Sequence, residues 1–489
     1  LPGVTVLIKG TSIGAATDVD GKFTFSIPAG KHVLQFSMVG MESKEIVIDS
    51  NKEISEIVVE LKPAKNELED VVVTGIFKKS RESFTGAVST ITEKELKSFR
   101  GRNLLSTLKN IDPTFNIIED NTYGSDPNHL PEVQIRGTSS LPTVEDLKNE
   151  TKTSSLNTPL IILDGFEISL QRMLDLNDED ISSVTLLKDG SATAIYGSRA
   201  TNGVILITTK QGKEGKVNVN YNARVDISNI SKRYNLLNAH DYALFENELD
   251  RTSNGYDMQG NVIPSTKVPR HTDDALERYK IYSTDWQDLM YQTAVSQDHQ
   301  LAVNGGNKMT QYNITAGYTD QEGIIMNTGL ERYSFRLNLK SELAKRLVLQ
   351  LNTSYSQTEQ KQTSHSQSSS MNQMVRRILT TKPTLMPGDQ IYEDENVEYV
   401  PADNPYIMAT ELKDILQQRF FILNASLTYN FGKGLSWKGA GSFNRTDGSR
   451  STYYPIGTNA GNSAHGMAFR GEDNRQNIVL ETTVNYDRK

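Results

Sequence analysis

The chain has no cysteine, which excludes disulfide cross-links and thiolate chemistry. No apolar run reaches the ~18 residues a membrane helix needs. That removes a helical span but leaves a β-barrel open, because alternating strands average to a hydrophilic composition. Mean hydropathy is −0.48. Positive charge is short: 52 Lys and Arg face 60 Asp and Glu, a net charge of −8, which argues against a nucleic-acid partner. The seven histidines are scattered and suggest no metal set. Phosphate-binding loop, Gly-x-Ser-x-Gly elbow and His-Glu-x-x-His helix are all missing. With no catalytic constellation, the chain reads as a non-enzyme that calls for no cofactor and no metal.

At 489 residues more than one domain is expected. Residues 1–62 read as all-β. Val4–Ile8 is a strand, Asp18–Gly21 a turn, Lys22–Ile27 a period-two strand, and Val33–Phe36 another strand after the Pro28–Gly30 turn. Short strands with glycine turns suggest a small sandwich. Asp18, Asp20 and Gly21 fit a hairpin turn, since the later ligands of a calcium loop are missing. The sequence opens inside a motif, so a segment ahead of Leu1 is expected.

Residues 63–80 form a linker with an apolar centre, Asp70-Val71-Val72-Val73-Thr74-Gly75. Three adjacent valines favour extended backbone. They read either as one more strand of the first domain or as an unpaired edge able to add to a partner's sheet.

Residues 81–212 mix helix and strand. Thr92-Glu93-Lys94-Glu95 is a capping box opening a helix through Leu96 and Phe99. A second helix covers Leu104, Leu105 and Leu108 and ends before Pro113. Val133–Gly137 and Pro159–Gly165 are strands that end in glycine turns, and the polar residues 138–157 between them form an exposed loop.

From 213 to 489 the pattern changes. Val217, Val219, Tyr221, Ala223, Val225 and Ile227 alternate with Asn218, Asn220, Asn222, Arg224, Asp226 and Ser228. The same alternation recurs in about eight segments, near 216–228, 297–306, 310–321, 331–341, 347–358, 419–431, 435–446 and 476–487. Several end in Tyr, Phe or Trp, where an aromatic girdle would sit. Runs of ~10 residues suit tilted membrane strands, whereas soluble strands average ~5–6. Residues 229–296 and 359–418 are the longest connections and are expected on the outer side.

The sharpest local signal is Leu186-Leu187-Lys188-Asp189-Gly190-Ser191-Ala192-Thr193-Ala194-Ile195-Tyr196-Gly197-Ser198-Arg199-Ala200-Thr201-Asn202-Gly203-Val204-Ile205-Leu206-Ile207-Thr208-Thr209-Lys210. Physically it is a buried strand, a tight turn, a small-residue helix closed by Gly197, and a second buried strand. It resembles, nearly residue for residue, the end of the plug domain in SusC-like TonB-dependent transporters (the SusC/RagA family) of the bacterial outer membrane. Val133–Gly137 and Pro159–Gly165 are similar to other plug motifs. The resemblance assigns structural and gating roles to Arg136, Gly137, Asp164, Gly165, Lys188, Asp189, Tyr196, Gly197, Arg199, Asn202 and Gly203. The charged ones are expected to stabilise turns or to pair the plug with the wall.

The same resemblance implies a carboxypeptidase-regulatory-like sandwich at 1–62 lacking its first strand, a TonB box at Asp70–Gly75, a plug at 81–212 and a partial barrel at 213–489. The expected fold is mostly β: sandwich, α/β plug, and the N-terminal part of a ~22-stranded transmembrane antiparallel barrel. The implied activity is import of an oligosaccharide or peptide, with a SusD-like lipoprotein lid and the TonB-ExbB-ExbD complex as partners. The barrel would sit in outer-membrane lipid, with residues 1–80 in the periplasm. At about 34 residues per strand, ~22 strands need roughly 750, so on the order of 475 are expected beyond Lys489 and the wall should be open. The alternative is a β-rich surface binding protein without transport, which leaves the coupling segment and the plug signature unexplained.

Overall fold

The computed structural model describes residues 3–9, 11, 13–38, 41, 43–50, 58–61, 71–73, 78–80, 87–99, 103–118, 127, 131–135, 157–253, 255, 262–263, 267–362, 374–388, 391–393, 400–402 and 404–486. The chain divides into two compact units, Leu1–Thr85 and Gly86–Lys489.

In the first unit, β1 (Thr5–Ile8), β2 (Gly14–Ala16), β3 (Lys31–Ser37) and β4 (Lys44–Asp49) form an antiparallel sheet in the order β2-β1-β3-β4. Val4, Val6, Ile8, Leu34, Phe36 and Ile48 make its core, with Phe23, Phe25, Ile27, Val59 and Leu61 packed against them. The turn at Asp18 is a hairpin turn: its carboxylate accepts from the N–H of Asp20 (3.0 Å) and of Lys22 (2.8 Å). Lys22–Ile27, expected as a strand, runs outside any strand ladder. Its alternation records burial of one face, with Phe23 edge-on to Phe36 at 5.6 Å, and a packed extended segment achieves that without a ladder. A separate hairpin pairs β5 (Val71–Val73) with β6 (Lys78–Ser80).

The second unit begins with β7 (Val88–Thr92), then a helix at Glu93–Ser98. Thr92 and Glu95 form the expected capping box: the Glu95 carboxylate accepts from the Thr92 N–H at 2.8 Å. A helix at Leu104–Ile111 follows, capped by Asn103, and then β8 (Asn116–Ile118) pairs with β9 (Glu132–Gln134). Next come β10 (Leu160–Leu163), β11 (Phe166–Ile168), β12 (Ile181–Leu187) and β13 (Val204–Thr209), in a sheet ordered β11-β10-β13-β12-β7. The first helix pair covers this sheet with Leu96, Leu104, Leu105 and Leu108, which meet Phe115, Ile161, Met173, Val184 and Ile205. Each such fully buried apolar side chain stabilises the domain by about 1.5–3 kcal/mol.

Around this domain runs a wall of eight antiparallel strands in chain order: β14 (Gly215–Ser228), β15 (Ala294–Gly306), β16 (Thr310–Glu322), β17 (Gly329–Ala344), β18 (Leu347–Gln362), β21 (Lys413–Gly432), β22 (Leu435–Tyr454) and β23 (Met467–Tyr486). Two short strands, β19 (Ile391–Glu393) and β20 (Val400–Ala402), form a hairpin in the connection before β21. Every strand read from the alternation is present, and most are longer than it suggested. β21 to β23 have 20 residues each, longer than the ~9–11 that a bilayer crossing needs. β14 and β23 end the sheet, and no ladder joins them among the described residues. The wall is open, as expected.

Connections at one end of the wall are tight. Lys433 (φ 50) and Gly434 (φ 82) make a two-residue turn with positive φ at both positions, the form that matches strand twist. At the other end 229–293 and 363–412 carry helices, including Ala239–Arg251, Trp286–Met290, Met374–Thr380 and Pro405–Thr410. Trp286, Met290, Ile325, Met374, Ile378 and Met408 pack these connections into one apolar cluster, and the Trp286 indole N–H donates to the Lys382 carbonyl at 3.0 Å.

Candidate functional site

The wall is amphipathic in the reverse sense of a soluble sheet. On the interior strands Leu301 is 45% exposed, Tyr333 52% and Phe335 44%, and Val217, Val219, Tyr221, Val225, Ile227, Ile478, Leu480 and Val484 of the two end strands are exposed with them. On the opposite face Gln300, Asn313, Thr315, Arg336, Asn338, Ser354, Ser356, Thr358, Asn424 and Ser442 are buried. An apolar exterior around a polar, filled interior is what hydrocarbon outside and a wet lumen inside select. Aromatics meet along the exterior: the Tyr318 and Tyr333 rings lie tilted at 5.1 Å, and Tyr429 and Phe431 edge-on at 4.8 Å near the tight turns.

Among the described residues, the charged contacts between the interior and the plug gather in one short plug segment, 172–180. Arg172 is buried, donates to Ser354 (2.8 Å) and to Ser356, and lies 5.2 Å from the Phe420 ring. Arg332 of β17 donates to the Leu174 carbonyl (3.0 Å) and to Asp175 (3.4 Å). Arg336 sits 3.5 Å from Asp180, which also accepts from Gln300 at 2.7 Å. Breaking a buried pair of this kind from one side costs about 3–5 kcal/mol. None of these residues carried a sequence signal. Period-two alternation placed Arg332 and Arg336 on the polar face, but their partners lie more than 150 residues away.

The signature stretch and its neighbours hold the plug to itself. Asp164 (φ 49) and Gly165 (φ 95) turn the chain from β10 into β11, and the Asp164 carboxylate accepts from the N–H (2.9 Å) and the hydroxyl (2.7 Å) of Thr209 on β13. Burial pushes the Asp164 carboxyl up. Lys188 reaches Asp112 at 2.6 Å. Burial acts to raise the Asp112 carboxyl, but the Lys188 ammonium and the Thr114 donors outweigh it and hold it down to about 2. Asp189 accepts from the Ala87 N–H at 2.5 Å, tying β7 to the end of β12. Arg199 pairs with Glu167, the Asn202 amide donates to the Thr158 carbonyl at 3.5 Å, and Tyr196 is half-buried.

Gly197 differs from the expected left-handed helix closure. The helix stops at Thr193, a 3-10 turn runs from Ala194 to Ala200, and Gly197 lies inside it at φ 66, ψ −151. That combination is essentially restricted to glycine. Gly203 (φ 94) faces another limit: a Cβ there would lie 3.2 Å from the Leu187 carbonyl and 3.4 Å from Ile135.

Of the expected TonB box at Asp70–Gly75, Val71–Val73 is extended and one edge is paired with Lys78–Ser80; among the described residues no ladder covers its other edge. Asp70, Thr74 and Gly75 lie outside the described residues, as do Arg136, Gly137 and the loop at 138–156. Among the described residues no His, Asp and Glu cluster could hold a metal ion.

Two domain families match the sequence: the CarboxypepD_reg-like domain over residues 1–73 and the TonB-dependent Receptor Plug Domain over residues 80–204. TonB-dependent receptor P3 of Formosa agariphila is 28% identical over all of this chain and 45% of its own length. TonB-dependent receptor SusC of Bacteroides thetaiotaomicron is 33% identical over 69% of this chain and 30% of its own length. The chain thus spans less than half the length of these relatives. The solved structure of the RagAB peptide importer in the 'open-open' state superposes with a TM-score of 0.63 at 23% identity, over 85% of this chain and 46% of that one. At that identity the likeness shows the fold.

Proposed function

We propose, for a chain that belongs to the SusC-like family of TonB-dependent transporters, plug-gated import of an oligosaccharide or peptide across the outer membrane. The observation that carries the reading is the inverted wall around a charge-pinned plug. An apolar exterior of this extent is a liability for a soluble binding protein and a requirement for one in lipid. The exterior residues from Val217 to Val484 would meet outer-membrane lipid, and residues 1–80 would lie in the periplasm. A SusD-like lipoprotein would close the outer end, where the helical connections gather.

In this reading the TonB-ExbB-ExbD complex acts through Asp70–Gly75. A partner strand adds to the open edge of Val71–Val73, where backbone hydrogen bonds supply affinity. The chain leads from there into β7, the edge strand of the plug sheet, which among the described residues pairs only with β12. Tension would load the Val88–Thr92 ladder and the Asp189–Ala87 bond first. The 172–180 segment, with its ion pairs to β17, would hold the rest of the plug in the wall. A path then opens beside the moved edge without loss of the whole plug.

Deleting Asp70–Gly75 from the full-length protein should abolish energised uptake, while outer-membrane assembly and equilibrium substrate binding stay as in the parent. Uptake at the parent's rate by the deletion strain would overturn the coupling role.

A further inference from the structure

The inner face of the wall carries a row of asparagines that only the strand register reveals. Asn218 of β14 is the register partner of Asn304 on β15, Asn304 of Asn313 on β16, Asn313 of Asn338 on β17, Asn338 of Asn352 on β18, and Asn352 of Asn424 on β21. Six neighbouring strands therefore present the same amide side by side. Each lies on the face opposite the exposed apolar residues, with the parity of Gln300, Arg336, Ser354 and Ile422 on its strand. The row is also inclined. Asn304 stands two residues from the tight-turn end of its strand at Gly306, whereas Asn424 stands eight residues from that end at Gly432. A row perpendicular to strands that tilt ~35–45° must climb the wall in this way. At about 4.8 Å per strand it is roughly 24 Å long.

Two further observations point to a ligand. The amide oxygens of Asn338 and Asn352 are buried and lack a hydrogen-bond partner, although Asn338 is 0% exposed. The Asn338 amide nitrogen is satisfied by the plug, donating to the Thr209 hydroxyl (2.9 Å) and the Lys210 carbonyl (2.7 Å). A buried acceptor left open costs about 1–3 kcal/mol, so these oxygens are unspent binding capacity along the row. At the lower end of the row a cavity of about 470 Å³ opens between plug and wall, lined by Asn218, Asn304 and Asn313 together with Asn220 and Asn222. In its rim Lys210 lies 3.0 Å from Glu93 and Lys97 lies 2.9 Å from the same carboxylate, and Lys213 lines it as well. The row ends in a polar space.

We propose that this inclined amide row is a descending track for a neutral oligosaccharide, taken over once Thr209 and Lys210 have left Asn338. The inference rests on the import reading and names its substrate class. Each side-chain amide offers one acceptor and one donor group, which match neighbouring hydroxyls that both donate and accept. Rungs about 4.8 Å apart are near the size of one sugar ring. An extended peptide laid along the row repeats its same-side groups every ~6.7 Å and falls out of step. Neutral hydrogen bonds also exchange without the desolvation cost of moving a charge, which suits a surface that must release what it holds.

The test uses the full-length protein in cells and two probe sets: neutral glucan oligosaccharides of graded length, and capped, uncharged Ser/Gly peptides of matching length. The variants are Asn304→Leu, at the cavity, and Asn352→Leu, which deletes an unpaired buried oxygen and so should not lower the melting temperature. The expected result is glucan entry slowed tenfold or more, with surface binding of glucan, melting temperature and peptide entry unchanged. Glucan entry at the parent's rate in both variants overturns the track while leaving import intact. Slowed peptide entry with normal glucan entry gives the row to peptides and also overturns it. If Asn352→Leu fails to assemble, Asn352→Ser is measured in its place, and failure of both makes the row a folding element and refutes the proposal. A parent that imports no member of either set counts against the import reading itself, and the track falls with it.

Discussion

Arg336 of the wall and Asp180 of the plug face each other at 3.5 Å, both buried. The pair joins β17 to the turn that begins β12. It belongs with Arg332–Asp175 and the Arg172 contacts to β18, so one nine-residue stretch of plug carries the charged fastening to the wall.

Removing one side of that pair leaves a buried charge unmatched, at a cost of about 3–5 kcal/mol. Arg336→Met should therefore loosen the plug and raise permeability to large antibiotics. The double variant Asp180→Asn/Arg336→Met should be tighter than the Arg336→Met single, because no charge is stranded. A double variant that leaks as much as the sum of the two singles would deny the pairing.

The Lys188–Asp112 contact gives a pH signature. The folded Asp112 carboxyl is held down to about 2, against 3.8 ordinarily. A depressed carboxyl contributes stability above its unfolded value, and that contribution fades as pH falls from about 4 towards 2. Lys188→Met should cost about 2–3 kcal/mol at neutral pH and flatten the acid limb of the stability curve. Parallel acid limbs in parent and variant would count against the assignment.

Gly197 separates backbone strain from crowding. A Cβ there meets no atom within 4 Å, so the cost comes from φ 66, ψ −151 alone, of order 1–3 kcal/mol. Gly197→Ala and Gly197→Val should lower the melting temperature by similar amounts. A valine much worse than alanine would mean the site is crowded. An unchanged melting profile with unchanged antibiotic exclusion in both would remove the strain.

The exterior discriminates a membrane wall from a soluble one. Leu301 is exposed, with Tyr221 and Ala316 as its register partners. Leu301→Arg should cost about 2–4 kcal/mol in a bilayer if it lies near the midplane, read as lost folding efficiency into lipid vesicles. A soluble sheet would accept the arginine with little change.

What the sequence settled by itself is local. Alternation in Val217–Ser228 and its later counterparts fixed the wall strands, because the side-chain period of a strand is two and one face must be apolar. Thr92 with Glu95 set a helix start through bonds only three residues long. Gly197 announced positive φ as a left-handed closure, whereas φ 66, ψ −151 is a different positive-φ conformation. Tertiary structure alone decided the rest. Alternation says that Asn304, Asn338 and Asn424 face the lumen, but not that they are neighbours along one row, since that depends on the register of each ladder. Lys22–Ile27 alternates like a strand and lies outside any ladder, because period two records burial and is silent on pairing. Arg172 meets Ser354 across 182 residues, a contact that exists only once the wall has curved around the plug.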